Sequence, residues 1–275
     1  MPSSPGPTST PATGKDLASS FAIGALAGAF GGLVGLGGGV VMIPLLVRFA
    51  GVRQQQAHGT SLVALVFTGL GGAMTYAGAG AVDLAAAASL AIPAMLTARL
   101  GARYAHALAE WKLKRAFGAF LIFVTALLVS KPYLAGTGVA QGGLSMVAEL
   151  AATGAATGFL SGMMGVGGGS VMVPSMVLLT GFPQVLAQGS SLLAMVPAGI
   201  AGAHQHWQLG NVVRRLVPGL VPGILLGSWL GSSLALRLAD GSLRLAFGAV
   251  VVYTGTRYLL AARPAAAPAP AGAAG

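Results

Sequence analysis

The chain contains long stretches without a single charged residue, and the longest of them, 150–213, covers 64 residues. Only 7% of the 275 residues are charged, whereas a soluble domain carries about 25%. A helix needs about 20 apolar residues to cross a bilayer, so this stretch alone has room for about three crossings. The sequence therefore predicts an all-α membrane protein that crosses the bilayer several times.

The basic residues, which give a net charge of +10, lie between the apolar runs rather than on one compact face. Five of them fall within 99–115, and two more are Arg214 and Arg215. Basic loops of this kind are typical of the cytoplasmic side of a membrane. We therefore expect the lipid bilayer, and no nucleic acid, as a partner. With no cysteine, four histidines and five carboxylates, the composition favours neither a metal site nor a cofactor.

The sequence contains two similar units that align without a gap at an offset of 130 residues. The stretch 35–44, Gly-Leu-Gly-Gly-Gly-Val-Val-Met-Ile-Pro, returns at 165–174 as Gly-Val-Gly-Gly-Gly-Ser-Val-Met-Val-Pro. Ala-His-Gly-Thr-Ser-Leu at 57–62 returns at 187–192 as Ala-Gln-Gly-Ser-Ser-Leu. Such self-similarity indicates an internal duplication. The predicted organisation is a disordered tail 1–16, a repeat 17–131, a linker 132–145, a repeat 146–262 and a disordered tail 263–275.

Each repeat holds four apolar elements, and the first element of each is too long for one crossing. Its 34 residues in 17–50 would span about 51 Å as a helix, against a hydrocarbon core of about 30 Å. Three glycines and a proline cannot sustain a regular helix, so the element breaks there. The eight predicted elements are 17–50, 57–78, 83–108, 113–131, 146–180, 187–207, 213–237 and 243–262.

The orientation of the two repeats depends on whether the broken first element crosses the membrane. One crossing would give each repeat four crossings and make the repeats parallel, whereas a re-entrant hairpin would give three crossings and invert them. The inverted arrangement places most basic residues on one side, among them Arg48, Arg53 and those of 99–115. The positive-inside rule therefore favours inverted repeats with broken first helices.

The two glycine–proline breaks are the predicted substrate site, and we expect them to meet. Paired breaks in corresponding halves mark the binding site of many transporters, and glycine amides at a helix start attract anions. The alternatives are close packing of helices through glycine and, for the hydroxyls, hydrogen bonds to the preceding turn. The candidate substrate-binding residues are Gly37, Gly38, Gly39, Thr60, Ser61, Gly167, Gly168, Gly169, Ser170, Ser190 and Ser191.

Two titratable residues are candidates for proton coupling. His58 occupies the position of Gln188 in the repeat alignment, and Glu149 lies near the start of a glycine-motif element. An ordinary polar residue at a helix end is the alternative in both cases. Ser190 or Ser191 with His204 would be needed for a hydrolase, but no orienting group accompanies them. The sequence also lacks a phosphate-binding loop, so we expect neither an enzyme nor direct use of ATP.

On these doubled motifs, Gly-x-Gly-Gly-Gly-x-x-x-x-Pro and Ala-x-Gly-(Thr/Ser)-Ser-Leu, the chain resembles the TauE/SafE sulfite exporter family over residues 17–262. The resemblance implies a multi-pass transporter of the bacterial inner membrane. It predicts a secondary transporter that exports a small sulfur-containing anion, such as sulfite or an organosulfonate. The alternatives are a passive anion channel and a membrane assembly protein that transports nothing.

Overall fold

The computed structural model describes residues 14–104, 143–164 and 168–260, together with isolated helical positions between 115 and 126. These residues form helices joined by short connections, and no strand occurs among them. Gly167 and most of the predicted linker 132–145 lie outside the described residues. The prediction of an all-helical protein is confirmed.

Nine α-helices can be followed within the described ranges. In the first repeat they are α1 (Gly14–Val34), α2 (Gly39–Phe49), α3 (Gln54–Gly78) and α4 (Leu84–Tyr104). In the second they are α5 (Leu144–Met164), α6 (Gly169–Leu179), α7 (Gln184–Gln208), α8 (Val217–Ala235) and α9 (Asp240–Leu259), with a 3-10 turn at Arg214–Leu216. Five segments are long and apolar enough to cross a membrane: 14–34, 55–78, 144–161, 184–208 and 214–235.

The duplication of the sequence is a duplication of structure. Helices α1, α2 and α3 have 21, 11 and 25 residues, and α5, α6 and α7 have the same lengths at positions 130 residues further on. Helices α1 and α5 begin at Gly14 and Leu144, inside the predicted tail 1–16 and the predicted linker 132–145. Hydropathy misses these first turns because a membrane helix continues beyond its apolar stretch into the polar interface.

The break after α1 depends on glycines in a backbone conformation that other residues avoid. Gly35, Gly37 and Gly38 have φ angles of +75°, +76° and +77°. This left-handed region costs an L-residue with a Cβ atom about 1–2 kcal/mol, whereas glycine enters it freely. The glycine run therefore ends α1 and reverses the direction of the chain.

Helix α2 folds back along α1. A Cβ atom at Gly38 would overlap the carbonyl oxygen of Ala27, so the chain returns to the level of residue 27 before α2 begins. Met42 and Leu46 of α2 are fully buried in one cluster with Ile23 and Ala27 of α1. Together α1 and α2 form a helical hairpin.

A stripe of glycines at four-residue spacing lets α8 pack against α1 with backbone in contact. At each of them a Cβ atom would collide with a carbonyl oxygen of α1, and the residue numbers rise together along both helices. The two helices are therefore parallel. The pairs are Gly219 with Leu17, Gly223 with Phe21, Gly227 with Ala25 and Gly231 with Ala29.

The same contact is made between α5 and α4. A Cβ atom at Gly154 would overlap Leu90, and one at Gly158 would overlap Ala94, again with rising numbers in both helices. Thus the first helix of each repeat packs, in parallel, against the fourth helix of the other repeat. The two repeats therefore make the same helix–helix contact with each other in both directions, as two subunits related by a two-fold axis do.

Helices α3 and α7, which are repeat counterparts, cross the centre of the molecule in opposite directions. A Cβ atom at Gly69 would lie 2.9 Å from the carbonyl oxygen of Leu192, whereas Gly199 lies against Leu65 and Gly202 against Leu62. Residue numbers therefore rise along α3 as they fall along α7. Equivalent helices of the two repeats are antiparallel where they touch.

Candidate functional site

The two glycine–proline breaks meet in the interior. A Cβ atom at Gly169 would overlap the carbonyl oxygen of Gly35 and lie 2.9 Å from the Cα atom of Leu36. The hydroxyl of Ser191 donates to the Gly35 carbonyl oxygen at 3.1 Å and to the Gln188 carbonyl oxygen at 2.9 Å. Gly169, at the end of the second glycine run, thus contacts Gly35 of the first, and Ser191 joins them from α7; that the breaks bind a substrate stays a prediction.

The first break presents backbone donors at the start of α2. The amides of Val41 and Met42 donate to the Gly38 carbonyl oxygen, at 3.1 and 3.0 Å. Helix geometry leaves the amides before them without an acceptor, and no backbone hydrogen bond from Gly37, Gly38 or Gly39 occurs among the described residues. These three predicted residues therefore form a group of amide donors at the positive end of a helix.

Side chains of both repeats surround Gly37. A Cβ atom there would lie 3.1 Å from Leu65 of α3 and 3.5 Å from Met195 of α7. Gly37 therefore lies at the central contact between α3 and α7, where the surroundings are apolar. In such surroundings a hydrogen bond to an anion is stronger than in water.

The second break has different geometry from the first. Gly168, the counterpart of Gly38, has a right-handed φ of −81° and lies against the methyl group of Thr157. Ser170, in the first turn of α6, is only 4% exposed, and its hydroxyl has no hydrogen-bond partner within the described structure. Of the predicted serines of the second repeat, Ser170 is thus the one whose buried hydroxyl has no hydrogen-bond partner of any kind in the described structure.

Tyr76 and Gln188 form part of the site, and the sequence motifs did not identify them as site residues. Both are fully buried. The Tyr76 hydroxyl shares its hydrogen between the Gly32 carbonyl oxygen at 2.9 Å and the Gln188 Oε1 at 3.0 Å. The side chain of Gln188 also packs on Gly35, where a Cβ atom would lie 2.8 Å from its Cγ. The signal available in the sequence was a glutamine at the position that His58 occupies in the first repeat.

The amide nitrogen of Gln188 is a buried donor without an acceptor. Its Oε1 is engaged by Tyr76, whereas its Nε2 has no hydrogen-bond partner among the residues described. A buried donor left unpaired costs about 1–3 kcal/mol, so such a group is expected to serve a ligand or water. It lies beside the break, on the face of α7 that contacts Gly35.

Thr60 and Ser190 hold the two repeats together. The Val213 amide donates to the Thr60 hydroxyl at 3.0 Å, and the Asp83 amide donates to the Ser190 hydroxyl at 2.9 Å. These bonds are equivalent under the repeat, and each crosses from one repeat to the other. Because a hydroxyl that accepts still has a hydrogen to donate, the role of both residues in substrate binding stays a prediction.

The hydroxyl of Ser61 donates to the His58 carbonyl oxygen at 2.8 Å, which is the bond to the preceding turn given above as the alternative. His58 is half-buried near the start of α3. It lies 7 residues before Leu65, the α3 residue that contacts Gly37, a rise of about 10 Å. About two helical turns of α3 therefore separate His58 from the first break.

Glu149 is also distant from the breaks. It is half-buried and precedes the last residue of α5, Met164, by 15 residues, which corresponds to about 22 Å. The structure does not bring Glu149 together with Gly35, Ser170 or Gln188. Its part in proton coupling, like that of His58, stays a prediction.

Helices that can cross a membrane, a duplicated unit and two broken helices that meet in the interior define a multi-pass membrane transport protein. The sequence profile of the family described as Sulfite exporter TauE/SafE matches residues 20–265. The chain belongs to the TauE/SafE family, and it is a membrane transporter.

Curated relatives agree with this assignment. The chain is 31% identical over 223 residues to the "Probable membrane transporter protein YunE" of Bacillus subtilis (strain 168), covering 72% of this chain and 82% of the relative. It is 33% identical over 184 residues to a "Probable membrane transporter protein" of Xylella fastidiosa (strain 9a5c), covering 64% of this chain and 69% of the relative. No solved structure matches the chain.

Proposed function

We propose that the chain is a secondary transporter that exports a small sulfur-containing anion, such as sulfite or an organosulfonate, across the bacterial inner membrane. The observation that carries this proposal is the contact between the two breaks, where Gly169 packs on Gly35. Unpaired donors of both repeats surround this contact. Family membership supports transport, and the donors support an anion.

The proposed binding site consists of donors without a formal charge. The amides of Gly37, Gly38 and Gly39 lie at the positive end of α2, where an anion is favoured electrostatically. From the second repeat, the Ser170 hydroxyl and the Gln188 amide nitrogen are both buried without a partner among the described residues. An anion between the breaks would satisfy donors from both repeats at once.

We further propose that the two repeats have inverted orientations in the membrane. Four helix contacts support this arrangement: α3 and α7 are antiparallel, α1 with α8 and α4 with α5 are parallel, and α2 returns along α1. If the α1–α2 hairpin is re-entrant, each repeat crosses the membrane three times. Rocking of one repeat against the other would then expose the central site to each side in turn.

The surroundings of the site favour a carrier over a passive channel. Gly37 is enclosed by Leu65 and Met195, and both side chains are nearly or fully buried. A channel needs a continuous hydrated path, whereas a carrier closes its site on each side in turn. We accordingly propose a transporter without enzymatic activity.

Flux measurements in proteoliposomes test this function. The purified chain, reconstituted with a panel of labelled sulfite and organosulfonates, should accumulate at least one anion against its gradient when an ion gradient is imposed. Downhill flux alone would identify a channel, and absence of flux for every anion would favour an assembly protein.

A pair of serine variants locates the site in the same assay. Ser170→Ala should weaken anion uptake because it removes the unused donor of the second break. Ser89→Ala is the matched control, since Ser89 is half-buried near the start of α4 and donates only to the Ala85 carbonyl oxygen of its own helix. An equal loss of anion uptake in both variants would contradict a role for Ser170 in binding.

A further inference from the structure

Among the residues whose side chains the structure describes, every buried polar residue is neutral: a serine, a threonine or a glutamine. Residues 165–167 of the second glycine motif, which lie outside the described residues, add no charge, because 150–213 contains no charged residue at all. An anion at the breaks would therefore be held by dipoles alone.

The two histidines of α7 lie far from Gln188. His204 and His206 lie 16 and 18 residues after Gln188 on α7, which corresponds to about 24 and 27 Å. His58 is on the first turns of α3, and Tyr76, which contacts Gln188, is on the last. Gln188 thus meets the first break with no cationic side chain from α1, α2, α3 or α7 beside it in the described structure.

We propose that the site selects singly charged oxyanions over doubly charged ones, with the Gln188 amide as the side-chain donor that recognises them. The proposal rests on the anion site described under "Proposed function" and adds the charge class of its substrate. Neither the family description nor the names of the relatives specify a charge state.

The reason is the dependence of desolvation on charge. The cost of transferring an ion from water to a medium of low dielectric constant rises with the square of its charge, and a buried cation normally offsets it. Hydrogen bonds from neutral donors gain strength only in proportion to the charge. A site with amides and hydroxyls but no cation therefore accepts one negative charge far more readily than two.

Tyr76 gives Gln188 a defined orientation for this purpose. A free amide can present either its oxygen or its nitrogen to a ligand. Because the Tyr76 hydroxyl donates to Oε1, the nitrogen, which has two hydrogens, is left for the anion. The side chain therefore presents donors, as an oxyanion requires.

The test compares anions of the two charge classes on the purified full chain. Apparent affinities are measured by thermal shift in detergent, in a gluconate background of constant ionic strength. Methanesulfonate and nitrate should bind on the order of tenfold or more tightly than sulfate and thiosulfate because the second charge is uncompensated. Equal or tighter binding of sulfate would overturn the proposal while leaving anion transport intact. Failure of every anion to bind or to move in proteoliposomes would overturn the anion site as well.

Variants of Gln188 test the assigned donor. Gln188→Met keeps the size and removes the donor, so methanesulfonate affinity should fall about tenfold, a value typical of one lost hydrogen bond to a charged group. Gln188→Lys adds a cation and should raise the affinity for sulfate relative to methanesulfonate. Gln208→Met is the control, because Gln208 is an exposed glutamine at the opposite end of α7, where its amide is hydrogen-bonded to His204.

Unchanged affinity and selectivity in Gln188→Met would refute the role of this residue. If Gln188→Lys does not fold, the panel on the natural chain and the methionine variant still decide the question. Tyr76→Phe should weaken methanesulfonate binding several-fold but preserve the preference for one charge, since it frees Oε1 without adding a cation.

Discussion

The backbone amide of Asp83 donates a hydrogen bond to the hydroxyl of Ser190, over 2.9 Å and across 107 positions of the chain. The equivalent bond of the other repeat joins Val213 to Thr60 at 3.0 Å. In each case the connection that leads into the fourth helix of one repeat is fixed by the third helix of the other. The repeats are thus held together by a reciprocal pair of hydrogen bonds close to the predicted site.

Removal of these hydroxyls should destabilise the protein. Thr60→Val and Ser190→Ala each leave a partly buried amide without its acceptor, which costs about 1–3 kcal/mol. The melting temperature in detergent should fall for each variant, and Thr60→Ser should retain the stability of the natural chain. Unchanged melting temperatures with loss of anion binding would instead show that these hydroxyls act mainly on the substrate.

The glycine stripe of α8 should not tolerate a methyl group. In Gly227→Ala the new Cβ would collide with the Ala25 carbonyl oxygen, and because this is backbone, α1 and α8 would have to separate. Overpacking of this kind typically costs about 1–3 kcal/mol, measured as loss of stability against denaturant in detergent.

Gly78→Ala provides the comparison for that experiment. Gly78 lies in the last turn of α3 with open space around the position of a Cβ atom. Alanine is the better helix former by up to about 1 kcal/mol, so this variant should be as stable as the natural chain or slightly more stable. Similar behaviour of both variants would contradict the close approach of α1 and α8.

Cysteine labelling can decide between parallel and inverted repeats, since the natural chain has no cysteine. Ala79 and Leu209 are repeat counterparts, and both are exposed just after α3 and α7. If the repeats are inverted, Ala79→Cys should react with an impermeant thiol reagent in intact cells and Leu209→Cys should not. Reaction of both, or of neither, would indicate parallel repeats.

The topology follows from the charge pattern. Arg214 and Arg215 lie five and six residues after Leu209, and the basic stretch 99–115 begins in the last turns of α4. With inverted repeats both lie on the same side, which the positive-inside rule assigns to the cytoplasm. The opposite labelling pattern, with only Leu209→Cys reactive, would keep the inversion but reverse the orientation in the membrane.

Much of the fold could be predicted from the sequence because the relevant signals are local. A run of glycines interrupts a helix, so the positions of the breaks can be predicted from the sequence. The gapless offset of 130 residues predicts matching helices in the two repeats. The first turns of α1 and α5 were not predicted to be helical because their polar residues, such as Lys15 and Asp16, resemble those of a disordered tail. Hydropathy identifies the part of a helix that lies in the hydrocarbon core, not its full length.

The candidate site was predictable only in part, since its side chains meet across the chain. Tyr76 and Gln188 are 112 positions apart and belong to no shared motif. The left-handed Gly38 and the right-handed Gly168 occupy equivalent positions, so the same residue at the same position of the repeat does not guarantee the same geometry.

Substrate protection at Ser170 tests the central claim, that an anion binds where the two breaks meet. Ser170→Cys is a conservative change in a cysteine-free chain, and its thiol can be modified with a small membrane-permeant reagent. A transported anion should slow this modification in a concentration-dependent manner, while Ser89→Cys, half-buried near the start of α4, should react at the same rate with and without the anion. If the anion left the reaction of Ser170→Cys unchanged in a protein that still transports it, the binding site would lie elsewhere.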